Sequence, residues 1–183
     1  DEKFSIDNCT HSFFGVSKTY ADLIVQEYGR NVGLKTTCFR GGCLTGPNHS
    51  GTKLHGFLSY LVKVSLTKKK YSLIGHKGKQ VRDNLHSYDL VNAFWEFFKK
   101  PTKGEVYNIG GGRYSNCSII EALDLVQNIS NIRIKRQIVK KPRVGDHIWY
   151  VSNLSKFKKQ YPNWKQKYNT KKIIEELVDC FKF

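Results

Sequence analysis

Methionine is absent from all 183 residues, and only four are proline. A chain of this length that begins at Asp1 without methionine is expected to be a piece of a longer product. No apolar run approaches the roughly 20 residues that cross a bilayer, and residues 1–20 lack the basic, apolar, small-residue order of a signal peptide. Neither a membrane span nor secretion is expected. Cys9, Cys38, Cys43, Cys117 and Cys180 are odd in number and include no C-x-x-C pair, which argues against a disulfide framework and for a reducing, cytoplasmic compartment. Acidic side chains are scarce, 15 against 31 lysines and arginines, for a net charge of +16.

What is present describes a folded domain. Hydrophobic residues make up 39%, aromatics 13% and charged residues 25%, close to the globular average and unlike a disordered or collagen-like chain. The cationic excess is concentrated: residues 125–174 carry 13 basic side chains and one acidic. Basic and apolar residues interleave there, as in Arg133-Ile134-Lys135-Arg136-Gln137-Ile138-Val139, which reads as a strand with a charged outer face. A solvated surface is the preferred reading over a polyanion groove, because charge alone reports on solubility and steering. Nucleic acid is not an expected partner.

Periodicity alternates between helix and strand along the chain. Helical spacing of Phe13, Phe14, Tyr20, Leu23, Ile24 and Tyr28 covers 12–32, with Gly33 as a stop signal. A short strand is expected over 34–39 and a loop over the glycine-rich 40–51, where function often resides. A helix over 54–66, a strand over 71–74 and a turn at Gly75 and Gly78 follow. Ser87 is read as the cap of a helix to about 98. A strand over 106–109 ends in Gly110-Gly111-Gly112, and Ser118 with Glu121 forms a capping box opening a helix to about 129. A strand over 133–139 and helices near 152–161 and after 170 complete an α/β fold with a largely parallel sheet.

Several constellations bear on chemistry. Cys38, Cys43, His49 and His55 can be written as a Cys2His2 set, but the spacings differ from those of structural zinc, and no metal centre is expected. Gly110–Gly112 either cradles a phosphate on backbone amides or simply turns the chain, the second being preferred; no G-x-G-x-x-G or P-loop occurs. Phe14 and Lys18 share a helical face, and on spacing alone read as core plus surface. Arg82 offers a planar fork suited to a diphosphate, or pairs with Asp83 as a structural ion pair.

Taken in order, several segments resemble the extended short-chain dehydrogenase/reductase superfamily, specifically its nucleotide-sugar epimerases and dehydratases. Phe14-Gly15-Val16-Ser17-Lys18 is similar to its Y-G-x-S-K helix. Phe39-Arg40 with Gly46-Pro47 resembles its L-R-x-x-x-x-x-G-P segment, and residues 75–89 resemble G-x-G-x-Q-x-R-D-x-x-x-V-x-D. Val106-Tyr107-Asn108-Ile109-Gly110 resembles V-Y-N-I-G, Arg143-Val144-Gly145-Asp146 the late R-x-G-D loop, and residues 161–167 the L-G-W-x-P-x segment. Within the superfamily, the loop Arg40 to His49 is most similar to CDP-paratose 2-epimerase-like members.

The resemblance implies the C-terminal part of a Rossmann-type fold joined to a smaller substrate domain. Residues 1–46 would end the NAD-binding domain and 47–183 would form mainly the nucleotide-sugar domain, with strand 105–110 returning to the Rossmann sheet. It implies that Lys18 binds the nicotinamide ribose, and that Gly41, Gly42 and Cys43 line the nicotinamide and sugar pocket. Arg82 and Arg143 would hold the diphosphate, Asp146 would contact the nucleoside, and Asn48 and His49 would belong to the substrate site. NAD is the implied cofactor, bound mainly by an upstream glycine-rich unit that these 183 residues lack. A nucleotide-diphosphate sugar is the implied substrate, and homodimerisation through the Phe14–Lys18 helix is implied.

The expected reaction is NAD oxidation of a sugar hydroxyl to a ketone, followed by re-reduction with inversion. A 4-epimerase or 4,6-dehydratase is the alternative, and an inactive sugar-nucleotide or polyanion-binding module the alternative of another class. One departure bears on chemistry: the family's acid/base tyrosine is Phe14 here, which cannot exchange a proton. His49, Tyr20 and Cys43 are the nearby groups that can.

Overall fold

A computed structural model of the protein describes residues 1–6, 11–53, 55–142 and 146–181. Helix α1, Phe13–Arg30, starts where Ser12 accepts a hydrogen bond from the Gly15 N–H at 3.1 Å and ends three residues before Gly33 turns the chain at φ +77°. Strand β1, Thr37–Gly41, follows and alternates its faces. Cys38 and Arg40 face α1: the Cys38 thiol donates to the Asp22 carbonyl at 3.3 Å, and the Arg40 guanidinium grips the Asp22 carboxylate at 2.8 and 3.0 Å. Phe39 points the other way, into the rings of Phe94, Phe97 and Phe157.

The loop expected over 40–51 is shorter than the composition suggests. Strand β1 runs on to Gly41, and β2, Cys43–Thr45, begins two residues later. The Gly42 N–H donates to the Ile109 carbonyl at 2.9 Å, and a Cβ at Gly42 would collide with the Asp83 carboxylate. Glycine therefore lets the backbone pass directly over a fully buried aspartate as the chain leaves β1 and enters β2.

Three more helices build the main core. They are α2, Phe57–Leu66; α4, Ile119–Ser130; and α6, Thr170–Phe181. Leu61 and Val62, Leu123 and Val126, and Ile173 and Leu177 meet there, each at most 1% exposed. The capping box at α4 forms as expected, with the Ser118 N–H on Glu121 Oε2 at 2.6 Å and the Glu121 N–H on Ser118 Oγ at 3.2 Å. A second core gathers Leu85, Ala93, Tyr107 and Ile109 with Phe157, Tyr161 and Trp164. It lies between α3, Ser87–Lys99, and α5, Ser155–Gln160. The cap of α3 is His86 rather than Ser87: His86 Nδ1 accepts from the Tyr88 N–H at 3.0 Å.

Four of the five strand pairings among the described residues are parallel. Strand β1 pairs with β5, Glu105–Ile109, and β3, Tyr71–Ile74, pairs with β7, Arg136–Val139. Strand β4, Val81–His86, pairs parallel to β2 and to β8, Trp149–Tyr150, and antiparallel to β6, Asn116–Ser118. Periodicity overlooks β4 because Arg82, Asp83, Asn84 and His86 are polar, yet its last four residues are buried. Their partners come from distant segments: Asp83 accepts from the N–H groups of Gly112 and Ser152 at 2.9 and 3.0 Å. Strand β7 is shorter than the basic run suggests and exposed along its length, Ile138 included.

Two apolar faces lie open. Phe13, Val16, Tyr20, Leu23 and Ile24 form an exposed stripe along α1, and Val91, Trp95 and Phe98 do the same on α3. Phe14, read from spacing as core, is 69% exposed. No helix among the described residues is long and apolar enough to cross a membrane.

Candidate functional site

A cavity of about 650 Å³ opens where β2, β4 and the start of α2 converge. Parallel pairing of β2 and β4 sets Cys43 opposite Asn84. Alternation along β4 puts Arg82 and Asn84 on one face with Gln80 just ahead of them, and all three line the cavity. Asn48, His49, Lys53 and His55, between β2 and α2 in the chain, also belong to the lining.

Of the residues expected in the substrate site, Asn48, His49, Arg82 and Asp146 line this one cavity, together with Gly42 and Cys43, expected between nicotinamide and sugar. Gly41 does not, since it sits at the end of β1 against the Leu44 side chain. Arg143 falls outside the described residues. Lys18 and Phe14 lie on α1, away from the lining, with the Lys18 ammonium 5.3 Å from the Phe14 ring centroid. The Cys2His2 arrangement does not assemble, because Cys38 is held on β1 by Asp22 while His49 and His55 meet edge to face with ring centroids 5.8 Å apart.

Arg82 is paired, but not with its neighbour. Its guanidinium donates to Asp146 Oδ1 at 2.7 Å and to the Val81 carbonyl at 2.8 Å, with 14% of its side chain exposed. Asp83 points to the opposite face of β4, into the Gly110–Gly112 turn. That turn is packed shut: a Cβ at Gly110 would meet Asp83 and Ser152, and one at Gly111 the Ser115 carbonyl. The turn reading of the glycine run holds, and its Gly112 amide serves Asp83 rather than a phosphate.

Burial sets the protonation of the lining. The Cys43 thiol is pushed up to about 11, first by desolvation and then by the Asp83 charge, so it remains a thiol at neutral pH. The His49 imidazole is pushed below its usual value by burial and by His55, which keeps it neutral at pH 7. Of the three groups near Phe14 in sequence that can exchange a proton, Cys43 and His49 line the cavity, whereas Tyr20 is on the exposed stripe of α1.

Residues that sequence reasoning missed are as informative. Gln80, Asn84 and Thr45 are buried, line the cavity and each leave one oxygen without a hydrogen-bond partner among the described residues: Gln80 Oε1, Asn84 Oδ1 and Thr45 Oγ1. Their signal is the i, i+2, i+4 spacing of Gln80, Arg82 and Asn84, visible only once 81–86 is known to be a strand. For a nicotinamide cofactor the residues fit in part. Lys18 carries an exposed amine able to donate to ribose hydroxyls, whereas Phe14 has no group to exchange a proton.

Residues 1–110 match the model of the NAD dependent epimerase/dehydratase family. The chain is 28% identical to CDP-paratose 2-epimerase of Salmonella typhi, over 98% of this chain and 54% of that one. It is 27% identical to UDP-glucose 4-epimerase of Mycoplasma genitalium, over 89% and 51%. It therefore spans about half the length of these curated relatives. Among solved structures, dTDP-glucose 4,6-dehydratase of Bacillus anthracis in complex with NAD superposes with a TM-score of 0.81 at 27% identity, over 98% of this chain and 55% of that one. UDP-glucose 4-epimerase of Thermotoga maritima with UDP-glucose gives 0.80 at 23%, over 92% and 53%, a likeness of fold.

Proposed function

The chain belongs to the NAD dependent epimerase/dehydratase family, and we propose that it supplies the sugar-nucleotide site of an NAD-dependent nucleotide-sugar epimerase or dehydratase. The observation that carries this reading is Arg82, a guanidinium 14% exposed in the wall of a cavity large enough for a nucleoside diphosphate sugar. A planar cation in a partly dry cleft binds a diphosphate through short charge-assisted hydrogen bonds.

Bound NAD supplies the hydride acceptor for oxidation of a sugar carbinol. In this reading Lys18 holds the nicotinamide ribose, and Gly42 and Cys43 form the floor between cofactor and sugar. Arg82 fixes the diphosphate so that the sugar lies at the β2 end of the cavity. Phe14 cannot take the hydroxyl proton, so in catalysis that proton passes to another group. The absence of a phenol at this position also favours a second reading, in which sugar nucleotide is bound without turnover. The α1 stripe of Phe13, Val16, Tyr20, Leu23 and Ile24 supports pairing with a second copy of the chain, because an apolar strip of this length is rarely left to water.

Calorimetric titration with CDP-, UDP- and dTDP-glucose tests the proposal. Saturable binding of at least one ligand, lost in Arg82→Ala, supports it. Binding that ignores the base, survives Arg82→Ala and collapses with added salt would replace it with a polyanion site.

A further inference from the structure

Gln80 and Asn84 stand on either side of Arg82 along one face of the β4 strand and its approach, and both are nearly sealed from solvent, at 6% and 0% exposure. In each, the amide nitrogen is already committed. Gln80 Nε2 donates to the Ile74 carbonyl at 2.9 Å; Asn84 Nδ2 donates to the Arg82 carbonyl at 3.2 Å and contacts Cys117 Sγ at 3.5 Å. Those bonds fix which end of each amide is oxygen, because flipping Gln80 or Asn84 would set oxygen against a carbonyl oxygen. The remaining atoms, Gln80 Oε1 and Asn84 Oδ1, have no partner among the described residues, and both residues line the cavity.

A buried acceptor without a donor is costly, and such atoms persist where a ligand supplies the donor. We propose that Gln80 and Asn84 are specificity-determining residues that bracket the diphosphate at Arg82, Gln80 Oε1 accepting from the nucleobase and Asn84 Oδ1 from a hydroxyl of the sugar. This rests on the sugar-nucleotide reading above and adds the direction in which the ligand lies.

The direction follows from what adjoins each end. Asn84 is paired with Cys43, next to Gly42, whose N–H joins the Ile109 carbonyl at the end of the β1–β5 pair. That pair carries α1 and Lys18, so the sugar, where oxidation occurs, lies at the Asn84 end. Gln80 is two residues away from Arg82 in the other direction, tied to Ile74 beside Tyr71 and Ser72 in a part of the lining away from β1. At about 3.3 Å of rise per residue the backbone positions of residues 80 and 84 are roughly 13 Å apart with Arg82 midway, a span suited to a base and a sugar flanking two phosphates. A buried acceptor also rejects ligands that lack the donor, more strongly than an apolar pocket rejects a change of one methylene.

The test uses the whole chain, calorimetric titration with UDP and UDP-glucose (or the CDP or dTDP pair, if that base binds), and the variants Gln80→Met and Asn84→Leu. Gln80→Met is expected to weaken both ligands by the same factor, roughly tenfold or more. Asn84→Leu is expected to weaken UDP-glucose by a similar factor and leave UDP unchanged. A check that does not depend on the variants folding uses the unaltered protein with N3-methyl-UDP and with UDP-glucose analogues in which each sugar hydroxyl is replaced singly by hydrogen. The methylated base and one deoxy sugar should each lose roughly tenfold. Unchanged affinities in both variants and with all analogues, while Arg82→Ala still abolishes binding, overturn the bracket and leave the sugar-nucleotide reading standing. An Asn84→Leu effect on UDP itself reverses the direction and overturns the assignment. Failure of every nucleotide to bind the unaltered protein removes the reading and the bracket together.

Discussion

The guanidinium of Arg82 donates to Asp146 Oδ1 across 2.7 Å in the wall of the cavity, and the two side chains are 14% and 18% exposed. Asp146, for which the family resemblance implies a contact with the nucleoside, has its carboxylate beside the group suited to the phosphates. The pair holds Arg82 in place before ligand arrives and offsets its charge, so an incoming dianion competes with Asp146. Asp146→Asn should tighten UDP several-fold while lowering stability by about 1–3 kcal/mol, less than the full cost for a sealed pair because both groups retain some solvent. Calorimetry and urea unfolding measure the two effects; weaker UDP binding in the variant would mean that the carboxylate serves the ligand directly.

Phe14→Tyr places a phenol hydroxyl on a ring whose centroid is 5.3 Å from the Lys18 ammonium. The site is 69% exposed, so stability should change by no more than about 0.5 kcal/mol. The nearby cation favours the phenolate, and the new tyrosine should ionise below the usual value of about 10. The difference absorbance of variant and parent through an alkaline titration measures this, and adding Lys18→Met should restore the ordinary value. A phenol that titrates at or above 10 with Lys18 present would show that the pair is not coupled.

The Arg40 guanidinium beside Asp22 holds that carboxyl below its usual range, chiefly through the hydrogen bonds between them. A folded value lower than the unfolded one contributes stability that is present above the unfolded pKa of about 3.9 and is lost as the pH falls through the folded value. Unfolding midpoints from pH 7 to pH 2 should therefore show Asp22→Asn less stable than the parent at neutral pH, with the two curves converging below about pH 4. A constant gap over that range would assign the loss to packing instead.

The α1 stripe predicts self-association. Tyr20 is 68% exposed at its centre, and Tyr20→Glu places a charge where a second copy would bury the ring. Sedimentation velocity should show a dimer for the parent and a shift toward monomer in the variant, with dissociation at least roughly tenfold easier. Identical monomeric boundaries for both would remove the dimer proposal.

Much of the fold was legible because local rules decide it. The apolar spacing over 12–32 and Gly33 mark α1 to within two residues at its C-terminal end, and Ser118 with Glu121 marks the start of α4 to the residue. Strand β4 was not legible, because its buried residues are mostly polar and are bonded by groups far away in sequence: Asp83 Oδ2 accepts from Gly112 and Ser152, and His86 pairs with Glu176 at 2.5 Å. The candidate site divided along the same line. Arg82, Asp146 and the loop with Asn48 and His49 were found from motif order, whereas Gln80 and Asn84 become meaningful only when the strand puts them on the face of Arg82. The exposed aromatics of α1 and α3 misled the periodicity argument, which detects an apolar face but not whether this stretch of chain covers it.

The most direct measurement is a crystal structure of the chain grown with UDP-glucose, or with the CDP or dTDP sugar if calorimetry favours it. The account predicts the diphosphate against the Arg82 guanidinium, the base toward Gln80 and the sugar toward Asn84 and Cys43. A nucleotide bound outside this cavity, or one inside it with the phosphates away from Arg82, would contradict the account.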